Sequence, residues 1–159
     1  MSAINSVLVV CTGNICRSPT GEAVLRAKAQ QHQLALQVDS AGIEAFHQGE
    51  SPDARSAAAA ALRGYTFQGM HSRPICLQDY QHFDLILAAD RGHLAAMQRQ
   101  CPVEHLHKLK CFMAVLPHLH QDIADPYYGG SAGFERVLDQ IEMAAEAWCQ
   151  AFAQGKDSQ

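Results

Sequence analysis

The sequence predicts an α/β fold: a single domain with a parallel four-stranded sheet, helices on both faces, and a phosphate-binding loop after the first strand. Three observations predict it. Short apolar runs alternate with helix-compatible stretches. The first run, Val7 to Val10, leads directly into Cys-Thr-Gly-Asn-Ile-Cys-Arg-Ser at 11–18. A long apolar stripe at three- and four-residue steps closes the chain. Strands separated by helices build parallel sheets, and ligands bind such sheets at the carboxyl ends of their strands.

In order along the chain, 6–10 reads as a strand and 20–32 as a helix burying Ala23, Val24 and Ala27. Residues 36–40 alternate as a second strand. Ser51 is placed to cap a helix with Pro52 in its first turn, running through 57–62 and stopping at Gly64. Residues 85–88 form a short, wholly apolar strand, and a helix from about Arg91 to Gln100 is ended by Pro102. A weaker strand is expected at 106–109. Phe134, Val137, Leu138, Ile141, Ala145, Trp148 and Phe152 mark the last helix, and 154–159 is a polar tail expected to fray. No internal repeat or linker interrupts the 159 residues.

The chemistry is concentrated at 11–18. A thiol, five intervening residues and an arginine is the spacing that wraps backbone around one phosphate. Alone the pattern is weak. Here a strand ends at Cys11, Gly13 permits close backbone approach, Asn14 accepts a left-handed conformation, and Pro19 suits a helix's first turn. Strand, tight loop and helix start together form an anion site. The amides from Thr12 through Ile15 and Cys16 to Arg17 would face the phosphate oxygens. A thiolate rather than a thiol is the nucleophile, and amides, a helix N-terminus and a guanidinium are the surroundings that favour it. Arg17 supplies a planar fork matching two phosphate oxygens, and Ser18 a hydroxyl for the sulfur.

Expelling an alkoxide or phenoxide calls for a general acid that then serves as base for water. Asp125, framed by Pro126, Tyr127, Tyr128 and two glycines, is the candidate. With it the chain resembles a low-molecular-weight protein tyrosine phosphatase over about residues 6–153. The matching pieces are Val-Cys-Thr-Gly-Asn-Ile-Cys-Arg-Ser-Pro at 10–19, Asp-Ser-Ala-Gly at 39–42, Gly49 with Ser51, Pro52 and Asp53, His71-Ser72-Arg73, and Asp-Pro-Tyr-Tyr-Gly at 125–129.

The resemblance implies Cys11 as nucleophile, Arg17 as transition-state clamp and Asp125 as acid then base. It implies that Asn14, Ser18, Ser40 and His71 support the loop, and that Ile15, Phe46, Tyr127 and Tyr128 line the substrate crevice. It also implies a reversible redox pair of Cys11 and Cys16, the latter being otherwise a buried loop residue. Phe46 falls where relatives often carry a different or larger aromatic, and on its own reads more readily as a packed loop residue than as a crevice wall. The partners implied are phosphotyrosine-containing proteins, met by a monomer or weak dimer.

Three rivals share the loop. A thioredoxin-linked arsenate reductase needs two further cysteines close together past mid-chain, whereas Cys76 has no near partner and only Cys101 and Cys111 follow as a pair. A protein arginine phosphatase favours Thr where this chain has the bulkier Ile15. A non-catalytic phosphate-binding module would leave Asp125 out of place.

Composition sets the remaining bounds. A net charge of −4 and no basic run argue against nucleic acid, and no segment has the apolar length to span a bilayer. The first residues lack a secretory pattern, and six cysteines in a chain with its own core fit a reducing, cytoplasmic compartment. His105 with His107 and His118 with His120 lack the paired spacings of a zinc site, so neither metal nor cofactor is expected.

Overall fold

Val7 to Val10 carry no polar side chain, so this segment is stable only where both faces are covered, the requirement of an inner parallel strand. A computed structural model describes residues 3–126 and 130–155. In it β1 (Ser6–Cys11) is buried along its whole length. It pairs in parallel with β2 (Gln37–Gly42) on one side, Cys11 opposite Gly42, and with β3 (Leu85–Ala88) on the other, Val10 opposite Ala88. The short β4 (Leu109–Cys111) completes the sheet in the order β2-β1-β3-β4.

The two-residue period of a strand divides β1 between two cores. Val7 and Val9 join Val24, Leu25, Phe112, Ile141 and Trp148 under α1 (Arg17–Gln31), α2 (Ala54–Leu62) and α5 (Ser131–Ala153). Leu8 and Val10 join Tyr80, Phe83, Ile86 and Met97 under α3 (Leu77–His82) and α4 (Arg91–Gln100). Helices therefore cover both faces. The stripe of α5 is buried from Phe134 to Trp148, the indole N–H donates to the Phe112 carbonyl at 2.7 Å, and Phe152 stacks on the indole at 5.7 Å.

Three expected elements differ in detail, and one short helix is additional. Helix α1 opens at Arg17 rather than Thr20, which leaves Pro19 inside the first turn, where its missing N–H breaks no helical hydrogen bond. Helix α2 is capped by Asp53 rather than Ser51: its carboxylate accepts from the amides of Arg55 at 2.8 Å and Ser56 at 3.4 Å, and Pro52 lies outside the helix. The strand expected at 106–109 begins only at Leu109, because 103–108 coil into a 3-10 helix. His105 and His107 thus do not share one side of a strand. Helix α3 escaped notice because six residues are too few to show a period.

Among the described residues no helix is long and apolar enough to cross a membrane, and no group of side chains is arranged to hold a metal ion. The Arg55 side chain, hydrogen-bonded to Asp53 at 3.1 and 3.0 Å, holds that carboxyl below the usual carboxylate range. The cap's contribution is therefore full above the ordinary carboxylate pKa, near pH ~4. It disappears as pH falls below that range. Asp53→Ala should cost about 1 kcal/mol at neutral pH. In urea titrations the difference from the parent should shrink as the pH is lowered through the acid range.

Candidate active site

The 11–17 loop takes its shape from where its carbonyls go. Cys11 O accepts from Ile43 N at 2.9 Å, Thr12 O from Glu44 N at 2.9 Å, and Ile15 O from Asp53 N at 2.8 Å. Gly13 O accepts from Ser72 Oγ at 2.7 Å, and Cys16 O from the amide and hydroxyl of Thr20 at 3.2 and 2.8 Å. Apart from that of Asn14, every carbonyl from Cys11 to Cys16 is tied in this way. Because a peptide is planar and trans, the N–H that follows points the opposite way, into the concavity at the end of β1. A ring of amides over the first turn of α1 results, the arrangement that holds a tetrahedral oxyanion. Gly42 is required behind the loop: a Cβ there would stand 2.8 Å from Thr12 O.

Asn14 bears the strain of this turn, at φ 59°. A side chain in the left-handed region costs about 1–2 kcal/mol, and three hydrogen bonds offset it. Its Nδ2 donates to Ser18 Oγ at 2.8 Å and Ser40 Oγ at 3.0 Å, and its Oδ1 accepts from Arg73 N at 3.0 Å. Ser40 in turn donates to Glu22 Oε1 at 2.7 Å. Ser18 Oγ, accepting from Asn14, lies 3.0 Å from Cys11 Sγ and 3.3 Å from the Ala41 carbonyl. Its single proton is divided between that carbonyl, to which it donates, and the sulfur, the nearer of the two.

Arg17 is 4 % exposed. One guanidinium nitrogen donates to Asp90 Oδ2 and to the Ile123 carbonyl, both at 2.9 Å. The other lies 3.5 Å from Thr12 Oγ1 and 3.7 Å from Asp125 Oδ2. Asp125, 108 residues further along, is therefore brought to the same cleft, its carboxylate half exposed at the mouth. The cleft measures about 210 Å³ and is lined by the loop residues from Cys11 to Arg17 other than Asn14, with Phe46, His47 and Asp125. The His47 ring packs on Gly13 so closely that a Cβ at 13 would meet its Cδ2 at 2.6 Å, and Phe46 lies against that ring at 4.6 Å. Phe46 is 64 % exposed, so it stands as a wall of the cleft rather than as a packed residue.

The expected residues converge with one correction. Cys11, Thr12, Gly13, Ile15, Cys16, Arg17, Phe46 and Asp125 share the cleft, and Asn14, Ser18 and Ser40 form the support behind it. His71 is the exception: it lies beside that support, lining a second pocket with Asn14, Glu22 and Ser40. It is exposed and makes no hydrogen bond to Asn14 or Ser40. Residues 73–75 run beside the end of β2, with Gly42 N donating to Arg73 O and Ile75 N to Gly42 O. In that extended run Ser72 turns in to the loop and its neighbour turns out. Tyr127 and Tyr128 lie outside the described residues.

Glu22, Ser72, Arg73, Asp90, His93 and the Ile123 carbonyl were missed in the sequence. Asp90 had a usable signal, since it lies just past the carboxyl end of β3. Cys16 is buried, and burial pushes its thiol up to about 12 against a weaker opposing hydrogen bond from Ser56.

A buried thiol under a ring of amides, a clamped guanidinium and a carboxylate at the rim define the class: a site able to hold a phosphoryl group above a sulfur, as a phosphatase requires. Known proteins give the family. Residues 6–158 match the family model of low molecular weight phosphotyrosine protein phosphatases. A low molecular weight protein-tyrosine-phosphatase of Streptomyces coelicolor is 39 % identical over 145 residues, 87 % of this chain and 88 % of its own length. The Drosophila melanogaster low molecular weight phosphotyrosine protein phosphatase 2 is 38 % identical over 145 residues, 88 % of this chain and 87 % of its own. The crystal structure of a protein tyrosine phosphatase from Entamoeba histolytica with Hepes in its active site superposes with a TM-score of 0.91 at 35 % identity, covering 95 % of this chain and 98 % of that one. This chain belongs to the low molecular weight phosphotyrosine protein phosphatase family.

If the hydrogen bonds of Asn14 hold the loop, Asn14→Ala should lower kcat for an aryl phosphate by ~10²-fold, the scale of a misplaced reacting group. Asn14→Gly, which relieves the backbone but lacks the side chain, should be as slow while recovering most of the lost thermal stability.

Proposed function

We propose that this protein hydrolyses phosphotyrosine in protein substrates, and simple aryl phosphates, through a cysteinyl-phosphate intermediate and without a metal ion. The observation that carries the reading is the convergence in one cleft of Cys11 with its Ser18 partner, buried Arg17 and rim-placed Asp125. The phosphate dianion enters between Ile15 and Phe46. Loop amides and the Arg17 fork hold the equatorial oxygens, where charge is spread in the transition state. Cys11 sulfur attacks phosphorus in line, and the bond to the phenol oxygen breaks as Asp125 protonates it. Water then attacks the cysteinyl phosphate while Asp125 takes its proton. Inorganic phosphate and the thiolate, stabilised by Ser18, are released. The exposed position of Asp125 suits this work, because a group that gives up and recovers a proton in each cycle needs access to water.

Cys16 serves as the resolving thiol. Peroxide converts Cys11 to a sulfenic acid. Attack by Cys16 thiolate on that sulfur forms the disulfide and expels hydroxide, which a proton converts to water. Since burial holds Cys16 protonated well above neutral pH, closure quickens as pH rises. The six cysteines stand as free thiols, four of them buried, which suits a reducing, cytoplasmic setting. The chain acts as a monomer or weak dimer.

Three measurements test these roles. Asp125→Ala should slow turnover of phenyl phosphate by ~10²–10⁴-fold, the usual contribution of a positioned general acid. Turnover of an activated nitrophenyl phosphate should fall much less, and equal losses on both would refute the acid assignment. Cys11→Ser should abolish turnover of both while still binding phosphate, which a merely binding module would not distinguish from the parent. After peroxide treatment, the parent should recover activity in thiol reductant, more completely when oxidised at higher pH. Cys16→Ser should not recover.

A further inference from the structure

We propose that His93 is a positioning residue that fixes the Arg17 guanidinium from behind, through a closed ring of polar contacts running by way of Thr12 and Asp90. The inference rests on the phosphatase reading and extends it to a residue outside the loop and the cleft. His93 lies in the first turn of α4 and is 8 % exposed. Its Nε2 is 2.7 Å from Thr12 Oγ1. Its backbone N–H donates to Asp90 Oδ1 at 2.8 Å, and its Nδ1 lies 3.1 Å from that same oxygen, close though not aligned for a full hydrogen bond. The other Asp90 oxygen takes the Arg17 hydrogen bond at 2.9 Å, and the far Arg17 nitrogen returns to Thr12 Oγ1 at 3.5 Å.

The partners settle the sense of each contact. A bare ring nitrogen 3.1 Å from a carboxylate oxygen would be repelled, so Nδ1 carries the proton. In the neutral ring Nε2 is then an acceptor, and Thr12 must donate to it. With its hydrogen committed there, Thr12 Oγ1 offers only lone pairs to Arg17. Asp90, Asp122 and Asp125 favour the charged imidazole and Arg17 opposes it. Burial, the largest influence, holds the ring below its usual titration range and so neutral at pH 7. The ring of contacts therefore has one direction. It places the guanidinium edge at the back of the cleft while its front faces the phosphate position, and a carboxylate held on both oxygens cannot rotate away. Positioned hydrogen-bond donors that need not reorganise are the main source of transition-state stabilisation in such sites.

The test compares the parent with His93→Ala, His93→Gln, Thr12→Val and the Thr12→Val/His93→Ala double variant, using p-nitrophenyl phosphate and thermal melts. His93→Ala should lower kcat by about tenfold with KM changed less than about threefold, a loss confined to the transition state. His93→Gln, whose amide oxygen can accept from Thr12, should recover most of that kcat. The double variant should be no slower than the worse single variant, because both break one ring. Unchanged kcat in His93→Ala overturns the proposal. So does a Gln variant as slow as the Ala variant at an equal melting temperature, and so do losses that simply multiply. A parent protein that turns over no aryl phosphate would instead overturn the phosphatase reading itself, and this inference with it.

Discussion

The site depends on the outward anchoring of the carbonyls between Cys11 and Cys16. A tight loop has no intrinsic reason to turn all its amides to one centre. Here the amides of Ile43, Glu44 and Asp53, the Ser72 hydroxyl and Thr20 each take one carbonyl, and peptide planarity does the rest. The scaffold therefore holds an anion site with no side-chain cation other than Arg17 in the ring. The strain this imposes is confined to Asn14, whose side chain is also the hub connecting Ser18, Ser40 and Arg73. One residue thus accepts the unfavourable backbone angle and carries the contacts that compensate it.

Arg17 and Asp125 divide the electrostatic work by depth. The guanidinium is almost wholly withdrawn from water and carries a carboxylate and a carbonyl behind it, so its charge is balanced before any ligand arrives. A buried cation without such partners would carry a desolvation cost of several kcal/mol. Asp125 stands at the opposite extreme, half exposed at the mouth. The first group has to stay fixed and charged, the second has to exchange protons, and their solvent access differs accordingly.

Much of this was legible in the sequence because its signals were local. The inner strands could be read from unbroken apolar runs, α5 from its stripe, and the loop from the order thiol, glycine, asparagine, arginine and proline. What failed was longer range or too short to show a period. Asp53 displaced Ser51 as a cap because its carboxylate reaches two amides at once, a fact of geometry that both sequences of choices would fit. Ser72 rather than His71 bonds the loop because the pairing of 73–75 with the end of β2 sets which neighbour faces inward. Asp90 and His93 come to the loop only through the side-by-side placing of β1 and β3, which no short motif encodes.

Sheet order also dictates when during synthesis the protein can become functional. The strand that leads into the thiol loop is interior, and its second neighbour is not made until residue 88 has been added. The last helix, α5, completes the core beside α1 on the face of Val7 and Val9, with Arg63 reaching across to Glu135 and Glu142 on it. A growing chain therefore lacks part of the core beneath its most apolar strand until the residues from 134 onward are added. Although the grip on phosphate is written within the first twenty residues, Asp90, Ile123 and Asp125 have to arrive before it closes. A chain stopped before residue 123 thus lacks both the carbonyl that holds Arg17 and the carboxylate at the rim.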